Sequence, residues 1–177
     1  MTETFGGAPF SFINVVDKEQ RSYTGSYFNV KEANTVVALV KSIVNTSPTV
    51  DWGATERLRI ITFYQGQVNY IRDLLRRHKL GQINVATVDS SQGSEAEIVI
   101  ISFVRSSDRV GNAQNTTAGF LADDRRLNVA LTRAKYQLIC AGNTRSLANS
   151  GVPSLKSLID NALERGCIQD FASSHEE

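Results

Sequence analysis

The chain has 177 residues, a length that suits a single domain with a sizeable core. Hydrophobic residues make up 41% and charged residues 21%, as in an ordinary globular protein. The net charge of +1 excludes the strongly basic overall field of a histone-like nucleic-acid binder, so any nucleic-acid contact must depend on a local surface.

The sequence lacks the patterns expected of membrane, secreted and metal-binding proteins. No apolar run reaches the roughly eighteen residues of a membrane helix, and the first residues do not form a secretory signal. Cys140 and Cys167 form no pair pattern, and His78 and His175 stand apart from other metal-binding residue types. These features predict a reduced intracellular protein, nuclear or cytoplasmic, that contacts no membrane and itself binds no metal.

Short apolar runs alternate with helix-length periodic segments, which is typical of a parallel sheet with crossover helices. We predict strands over Phe10–Val16, Leu58–Phe63, Ile83–Val88, Ile98–Val104 and Tyr136–Gly142. We predict helices from Asn29 to about Val44 and over Gln65–Arg77, Asp124–Ala134 and Ser154–Arg165. One domain spanning 1–177 is expected, with residues 1–9 and 172–177 as disordered ends.

Local signals mark the helix ends and one loop. Asn29 and Glu32 are expected to form a capping box at the start of the first helix. Gly81 is expected to cap the end of the second helix. The polar stretch Asp108–Gly119 is too long for a tight connection, so we expect a functional or mobile loop that could flank a ligand channel.

Three segments carry the residue types of a ligand site and are expected at or near the carboxyl ends of strands. They read ITFYQGQV at 61–68, ATVDSSQGSEAEIVIIS at 86–102 and RRLNVALTRAK at 125–135. In this order they resemble motifs IV, V and VI of superfamily 1 helicases, in the branch that contains the nonsense-mediated-decay helicase and senataxin. The segment GSYFNVKEANTVVALV at 25–40 also resembles that branch, so the likeness covers nearly the whole chain.

The resemblance implies the second of the two RecA-like motor domains of such a helicase, an α/β domain with a parallel sheet and helices on both faces. The sequence has no GxxxxGK[ST] motif, and none of its six lysines follows a glycine. That motif belongs to the family's first RecA-like domain, which would bind most of the ATP and the Mg²⁺. The chain by itself is therefore expected to be an inactive half of an ATPase.

The resemblance identifies Arg133, in ALTRAK, as the arginine finger. Phosphoryl transfer needs a cation from outside the phosphate-binding loop, and a finger contributes about 10³–10⁵ in rate. On the predicted helix, Arg126 and Arg133 are seven residues apart and share one face. Alternatively, the arginines are ordinary surface charges, and Arg125 and Arg126 pair with Asp123 or Asp124.

The resemblance places Glu95 near the ribose and phosphates of the nucleotide, with Gly93 letting the backbone come close. Gln92 is a further nucleotide-binding candidate, and Asp89 and Gln92 would orient the site. The structural alternative makes Glu95 a helix-start carboxylate and Gly93 a turn. Ser91 departs from the family, in which an aromatic residue is common at this position.

Thr62, Thr87 and Ser90 are candidates for contacts with the backbone of single-stranded RNA or DNA, because hydroxyl groups can donate to phosphates without reading sequence. Each is equally well explained as a strand-end or turn residue. Phe63 replaces the family's usual proline, and Tyr64 is interpreted as a core or hinge aromatic and not as a base-stacking platform.

Together these patterns predict the second motor domain of an ATP-dependent 5′-to-3′ RNA or DNA helicase, working with the first RecA-like domain of the same protein. One alternative is a non-catalytic nucleic-acid-binding scaffold with a helicase fold. Another is a metabolic dinucleotide-binding enzyme, which the absence of GxGxxG disfavours. The sequence leaves RNA versus DNA open.

Overall fold

The computed structural model describes residues 8–54, 56–91, 93–106 and 123–171. The predicted loop Asp108–Gly119 and the predicted disordered end 172–177 lie outside the described residues, as do residues 1–7 of the other end. Ala8 and Pro9, expected to belong to that end, offer their carbonyl oxygens to the Gln137 side chain and the Leu138 N–H.

The described residues form eight strands and five helices. In chain order the strands are β1 (Phe10–Asn14), β2 (Gln20–Arg21), β3 (Tyr27–Phe28), β4 (Leu58–Thr62), β5 (Asn84–Thr87), β6 (Ala96–Ser102), β7 (Ala134–Gly142) and β8 (Ile168–Asp170). The helices are α1 (Val30–Thr46), α2 (Gln65–Arg77), α3 (Asp124–Leu131), α4 (Thr144–Ala148) and α5 (Pro153–Glu164). A short 3₁₀ turn, Asp89–Ser91, follows β5.

Six strands form one parallel sheet in the order β5-β4-β6-β7-β1-β8, while β2 and β3 form a separate antiparallel hairpin. Helices α1 and α2 cover one face through a core that includes Val36, Val40, Ile60, Ile71 and Ile100. Helices α3, α4 and α5 cover the other face through Ile61, Ile101, Leu127, Leu147 and Leu155. The expected RecA-like sheet with helices on both faces is confirmed, and its central strands are apolar because both of their faces are buried.

Four short elements, β2, β3, α4 and β8, were not predicted from the sequence. Each has five residues or fewer, so no periodic pattern can develop. The predicted helix Asp124–Ala134 is too long: α3 ends at Leu131, and the Thr132 hydroxyl donates back to the Asn128 carbonyl oxygen. Because β7 begins at Ala134, Arg133 lies in the connection between α3 and β7, and the predicted face shared with Arg126 is wrong.

Two predicted helix ends also differ. The Asn29 side chain caps α1 by accepting from the Glu32 N–H at 3.0 Å, but the Glu32 carboxylate does not complete a capping box. The Asn29 N–H donates instead to Gln67 Oε1 at 2.9 Å. At the end of α2, Lys79 and not Gly81 takes the left-handed conformation, with φ of 59°. The Leu80 N–H then donates to the Leu75 carbonyl at 2.7 Å, which is the hydrogen bond of a Schellman motif.

The β2–β3 hairpin rests on the first turn of α2 at Gly66. The Gly66 N–H donates to Ser26 Oγ at 2.9 Å. A Cβ added at Gly66 would lie 2.7 Å from the Tyr27 carbonyl oxygen and 3.2 Å from the Ser26 Cβ. Glycine is therefore required here by the close approach of the hairpin backbone.

We predict that Gly66→Ala lowers the free energy of unfolding by about 1–3 kcal/mol, because the added methyl group overpacks against backbone that cannot move cheaply. Gly81→Ala is the matched control: its Cβ would meet Arg76 Cγ at an ordinary 3.4 Å, and the expected change is within about 0.5 kcal/mol. Urea denaturation of both variants checks the prediction. Equal stabilities would contradict the packing of the hairpin on α2.

Candidate functional site

The amino ends of β6 and β7 bring two predicted site residues together. The Ala96 N–H donates to the Arg133 carbonyl oxygen at 3.0 Å, so Glu95, the residue before Ala96, lies beside Arg133. Arg133 is half-buried and its Nε donates to the Val129 carbonyl oxygen at 3.1 Å, while Glu95 is exposed. Among the described residues, no carboxylate forms an ion pair with Arg133.

This position corrects one expectation from the sequence. Motifs V and VI were expected at or near carboxyl ends of strands, yet Glu95 and Arg133 lie at the amino ends of β6 and β7. The residues from Val88 to Glu95 explain the difference. They connect the carboxyl end of β5 to the amino end of β6, with the 3₁₀ turn Asp89–Ser91 directly after Val88, which is part of the core.

Arg59, on β4, is a charged residue near the same edge that the sequence interpretation passed over. It pairs in register with Val99 of β6 and is only 6% exposed. Its Nε is buried and has no hydrogen-bond partner in the described part of the chain. Burial lowers the pKa of the Arg59 guanidinium, and the positive charge of Arg133 lowers that pKa further. The available signal was a single charged residue inside the otherwise apolar strand LRIIT.

Motifs V and VI are also joined by an ion pair at the surface. Arg126 donates from Nε to Asp89 Oδ1 at 3.0 Å and from Nη2 to Asp89 Oδ2 at 3.2 Å. The suggested partner Asp123 instead caps α3 by accepting from the Arg125 and Arg126 N–H groups. The bidentate geometry fixes α3 to the 3₁₀ turn after β5.

The remaining residues of motif V are Ser91, Gln92 and Gly93. Gln92 lies outside the described residues. Gly93 has φ of +75°, and a Cβ there would meet no atom of the described residues within 4 Å. Its backbone conformation, and not crowding by the described residues, accounts for glycine at this position. Ser91, at the family's aromatic position, is buried and donates to the Val88 carbonyl oxygen at 2.8 Å.

The three hydroxyl candidates lie at the opposite, carboxyl edge, but only two are accessible. Thr87 and Ser90 share a hydrogen bond of 2.9 Å between their hydroxyl groups, with Thr87 half-buried and Ser90 exposed. Thr62 is 0% exposed, and its hydroxyl has no hydrogen-bond partner among the residues that the structure describes. In this conformation Thr62 cannot reach a phosphate group, so its predicted contact requires local opening.

An aromatic and ionic cluster fills the space between the hairpin and the end of β6. Arg105 Nε donates to Glu19 Oε1 at 3.1 Å, with both side chains largely buried. The Arg105 guanidinium carbon lies 4.1 Å from the ring centroid of Tyr27, and Tyr64 packs edge-on against that ring at 5.5 Å. Tyr64 is therefore a core aromatic, and Phe63 likewise packs inside, against Phe103.

A buried polar network holds the residues that follow β6. Glu32 Oε1 accepts from Ser102 Oγ at 2.6 Å and from the Val104 N–H at 2.7 Å, while Asn29 Nδ2 donates to the Val104 carbonyl oxygen. Gln67 Nε2 also donates to Ser102 Oγ. Val104 has φ of 70°, a conformation that is strained for a β-branched residue. Side chains of α1 thus clamp both backbone groups of a strained residue.

Burial raises the pKa of Glu32 from 4.5 to about 7, against the hydrogen bonds from Ser102 and Val104. The folded state therefore holds the proton more tightly than the unfolded state. The tighter proton binding at Glu32 stabilises the folded state fully below pH 4.5, and this contribution is lost as the pH rises through about 7. This titration lowers the free energy of unfolding by about 3 kcal/mol between those values.

We predict that Glu32→Gln removes this fall in stability between pH 4.5 and 7, because the amide keeps an acceptor for Val104 but does not titrate. Denaturant unfolding at several pH values checks the prediction. Glu164→Gln, at an exposed position on α5, is the control and should keep the wild-type pH profile. A Glu32→Gln profile equal to the wild type would show that Glu32 is not the titrating group.

Within the described ranges, no helix is long and apolar enough to cross a membrane. The same residues contain no group of three or more His, Cys, Asp or Glu side chains that could hold a metal ion.

Comparison with known proteins identifies the family. A family profile described as "AAA domain" matches residues 3–145. An uncharacterized ATP-dependent helicase of Methanocaldococcus jannaschii is 41% identical over 146 residues, covering 81% of this chain and 19% of that protein. Helicase SEN1 of Saccharomyces cerevisiae is 36% identical over 168 residues, covering 91% of this chain and 7% of that protein.

The Regulator of nonsense transcripts 1 homolog of Arabidopsis thaliana is 36% identical over 167 residues, covering 90% of this chain and 12% of that protein. The chain thus spans less than a fifth of the length of each of these relatives. The chain therefore belongs to the AAA domain family and, within it, to the superfamily 1 helicase branch that its sequence motifs predict.

Proposed function

We propose that the chain is the second motor domain of an ATP-dependent 5′-to-3′ helicase, in which it supplies Arg133 to ATP and holds single-stranded RNA or DNA. The observation that carries the proposal is the pairing of β6 with β7, which sets Glu95 beside Arg133 at one edge of the sheet. The relatives' names support an ATP-dependent helicase, while the direction of movement follows from the motif resemblance alone.

The groups at this edge fit the phosphates of a nucleotide. Arg133 is held by its bond to the Val129 carbonyl but has no carboxylate counter-charge among the described residues. A guanidinium group stays charged at any working pH and matches phosphate oxygens in geometry. Glu95, an exposed acceptor beside it, is suited to a ribose hydroxyl. The residues present therefore fit ATP.

Arg133 would act on the charge that develops during phosphoryl transfer. ATP bound mainly by the first RecA-like domain, together with Mg²⁺, would supply the transferable phosphoryl group. Closure of the two domains would bring the Arg133 guanidinium to the phosphate oxygens, where a fixed cation stabilises the transition state more than the ground state. Opening of the domains would withdraw it, which makes hydrolysis depend on closure.

Thr87 and Ser90 would contact the nucleic-acid backbone at the opposite edge. Their hydroxyl groups share one hydrogen bond, which uses only one of their two protons. The other proton remains to donate to a phosphate oxygen, and such a contact carries no sequence information. With a net charge of +1, the chain has little long-range attraction for a strand.

The alternative function is a non-catalytic scaffold that binds nucleic acid through a helicase fold. The same fold and the same carboxyl edge would serve it equally well. The scaffold has no use for a half-buried arginine held at the amino edge without a carboxylate partner among the described residues, and this favours the motor.

We predict that Arg133→Ala in the full-length protein lowers the rate of ATP hydrolysis by about 10³–10⁵, because the finger acts on the transition state. The affinity for nucleotide should change little. Lys135→Ala, at an exposed position two residues away, is the control and should hydrolyse ATP like the wild type. Steady-state phosphate release with saturating oligonucleotide measures both rates. Equal rates in wild type and Arg133→Ala would favour the scaffold.

We predict that this chain alone binds single strands weakly and without base preference, since its contacts are with phosphates, and that its affinity falls as the salt concentration rises. Replacing both Thr87 with Val and Ser90 with Ala should weaken binding about 3-fold to 10-fold, as expected for a lost hydrogen bond or two. Ser157→Ala, exposed on α5, is the control. Fluorescence anisotropy with labelled oligonucleotides of contrasting sequence measures the affinities. A strong preference for one sequence would contradict backbone contact.

A further inference from the structure

Arg59 is the one described arginine whose Nε is buried and has no hydrogen-bond partner. It is 6% exposed and lies on the same face of β4 as Ile61, between Leu58 and Ile60 of the chain, which point to the other face. A charged group buried without a partner is costly, and proteins normally pair it or hydrogen-bond it. The Arg59 Nε–H is therefore a hydrogen-bond donor that no described residue uses.

The carboxylates nearby do not neutralise Arg59. Arg57, two residues earlier, pairs with Glu97 through Nη1 at 3.1 Å and 3.2 Å. Among the described residues, no carboxylate forms an ion pair with Arg59. The group that interacts with Arg59 electrostatically is instead a second cation, Arg133, which lowers the pKa of the Arg59 guanidinium after the larger effect of burial.

The backbone places both arginines near this edge. Arg59, the second residue of β4, pairs with Val99, which lies three residues along β6 from Ala96, whose N–H donates to the Arg133 carbonyl oxygen. Two guanidinium groups held near each other without a counter-ion repel, and an anion between them removes that repulsion while accepting their free N–H groups. An anion with several oxygens, such as a polyphosphate, fits two such donors better than a carboxylate does.

We propose that Arg59 and Arg133 together form a binding site for the phosphates of a nucleotide, with Arg59 as a second phosphate-binding residue beside the finger. This inference rests on the proposed function, because it assigns a further residue to the same nucleotide edge. Because the Arg59 Nε is buried, binding requires local opening, as for Thr62; Arg59 then donates from Nε and Nη to a phosphate oxygen, and Arg133 donates to the same phosphate group from the other side.

The test is calorimetric titration of this chain with tripolyphosphate at low ionic strength. Arg59→Met should weaken binding about 10-fold or more, as expected for the loss of a charge-assisted hydrogen bond. Arg59→Lys keeps the charge but loses the planar set of donors, so its affinity should lie between those of wild type and Arg59→Met. The matched control is Arg57→Met, which removes a charge from the residue directly before β4 and should weaken binding less than about 2-fold.

Thermal unfolding of the same variants separates binding from folding. Arg59→Met should unfold at the wild-type temperature or above, because it removes a buried unpaired charge. If Arg59→Met does not fold, the affinity of Arg59→Lys relative to Arg57→Met decides. Equal loss of affinity in the Arg57 and Arg59 variants would overturn the inference, as would the absence of saturable binding by the wild type.

The experiments distinguish a failure of the Arg59 phosphate site from a failure of the proposed motor function. If Arg59→Met binds tripolyphosphate like the wild type while Arg133→Ala abolishes hydrolysis in the full-length protein, Arg59 is not a phosphate residue and the proposed motor function stands. If Arg133→Ala hydrolyses ATP normally, the motor function is contradicted, and a loss of tripolyphosphate affinity in Arg59→Met would mark an anion site of another kind.

Discussion

The hydrogen bonds that hold β6 between β4 and β7 position Glu95 and Arg133, the two residues proposed to contact the nucleotide. β6 pairs with β4 along Leu58–Thr62 and with β7 from Ala134 onward, so neither of its neighbours can slide without breaking a buried ladder. At the beginning of β6 this pairing sets Glu95 beside Arg133. At its end, the same strand carries Ser102 and Val104 into the network around Glu32.

The length of β6 separates the candidate nucleotide residues at the amino edge from the candidate nucleic-acid residues at the carboxyl edge. Seven residues at about 3.3 Å each place the amino and carboxyl edges roughly 20 Å apart. The crossover from Thr87 to Glu95 joins these edges, and its first turn is fixed to α3 by the ion pair of Asp89 with Arg126. In the proposed motor, one short segment thus connects Thr87 and Ser90, which would contact the nucleic acid, with Glu95 beside the nucleotide. Helix α3, which pairs with Asp89 through Arg126, ends just before Arg133.

Most of the fold could be predicted because the sheet is buried on both faces and its strands read as apolar runs. The ends of elements could not. Lys79 takes the left-handed position expected of Gly81 because a Schellman motif brings Leu80 directly back to the core, and α3 stops at Leu131 because β7 begins early. These outcomes depend on tertiary packing, which overrides local preference.

The site was predicted unevenly for the same reason. Motif resemblance selected Arg133 and Glu95 as candidates, but it did not show that they lie at the amino edge, since that depends on how the chain returns from β5 to the beginning of β6. Local pattern likewise could not reveal that Thr62 is fully buried, that Asp89 is the partner of Arg126, or that Arg59 has a free Nε. Each of these is a contact between segments far apart in the chain.

The central claim is that Arg133 acts on the phosphate that is transferred. A crystal structure of the full-length protein with ADP, aluminium fluoride, Mg²⁺ and a single-stranded oligonucleotide tests it most directly. We expect a guanidinium nitrogen of Arg133 at about 3 Å from a fluoride ligand, the distance of a direct hydrogen bond. A closed complex in which Arg133 points away from the aluminium fluoride would contradict the account.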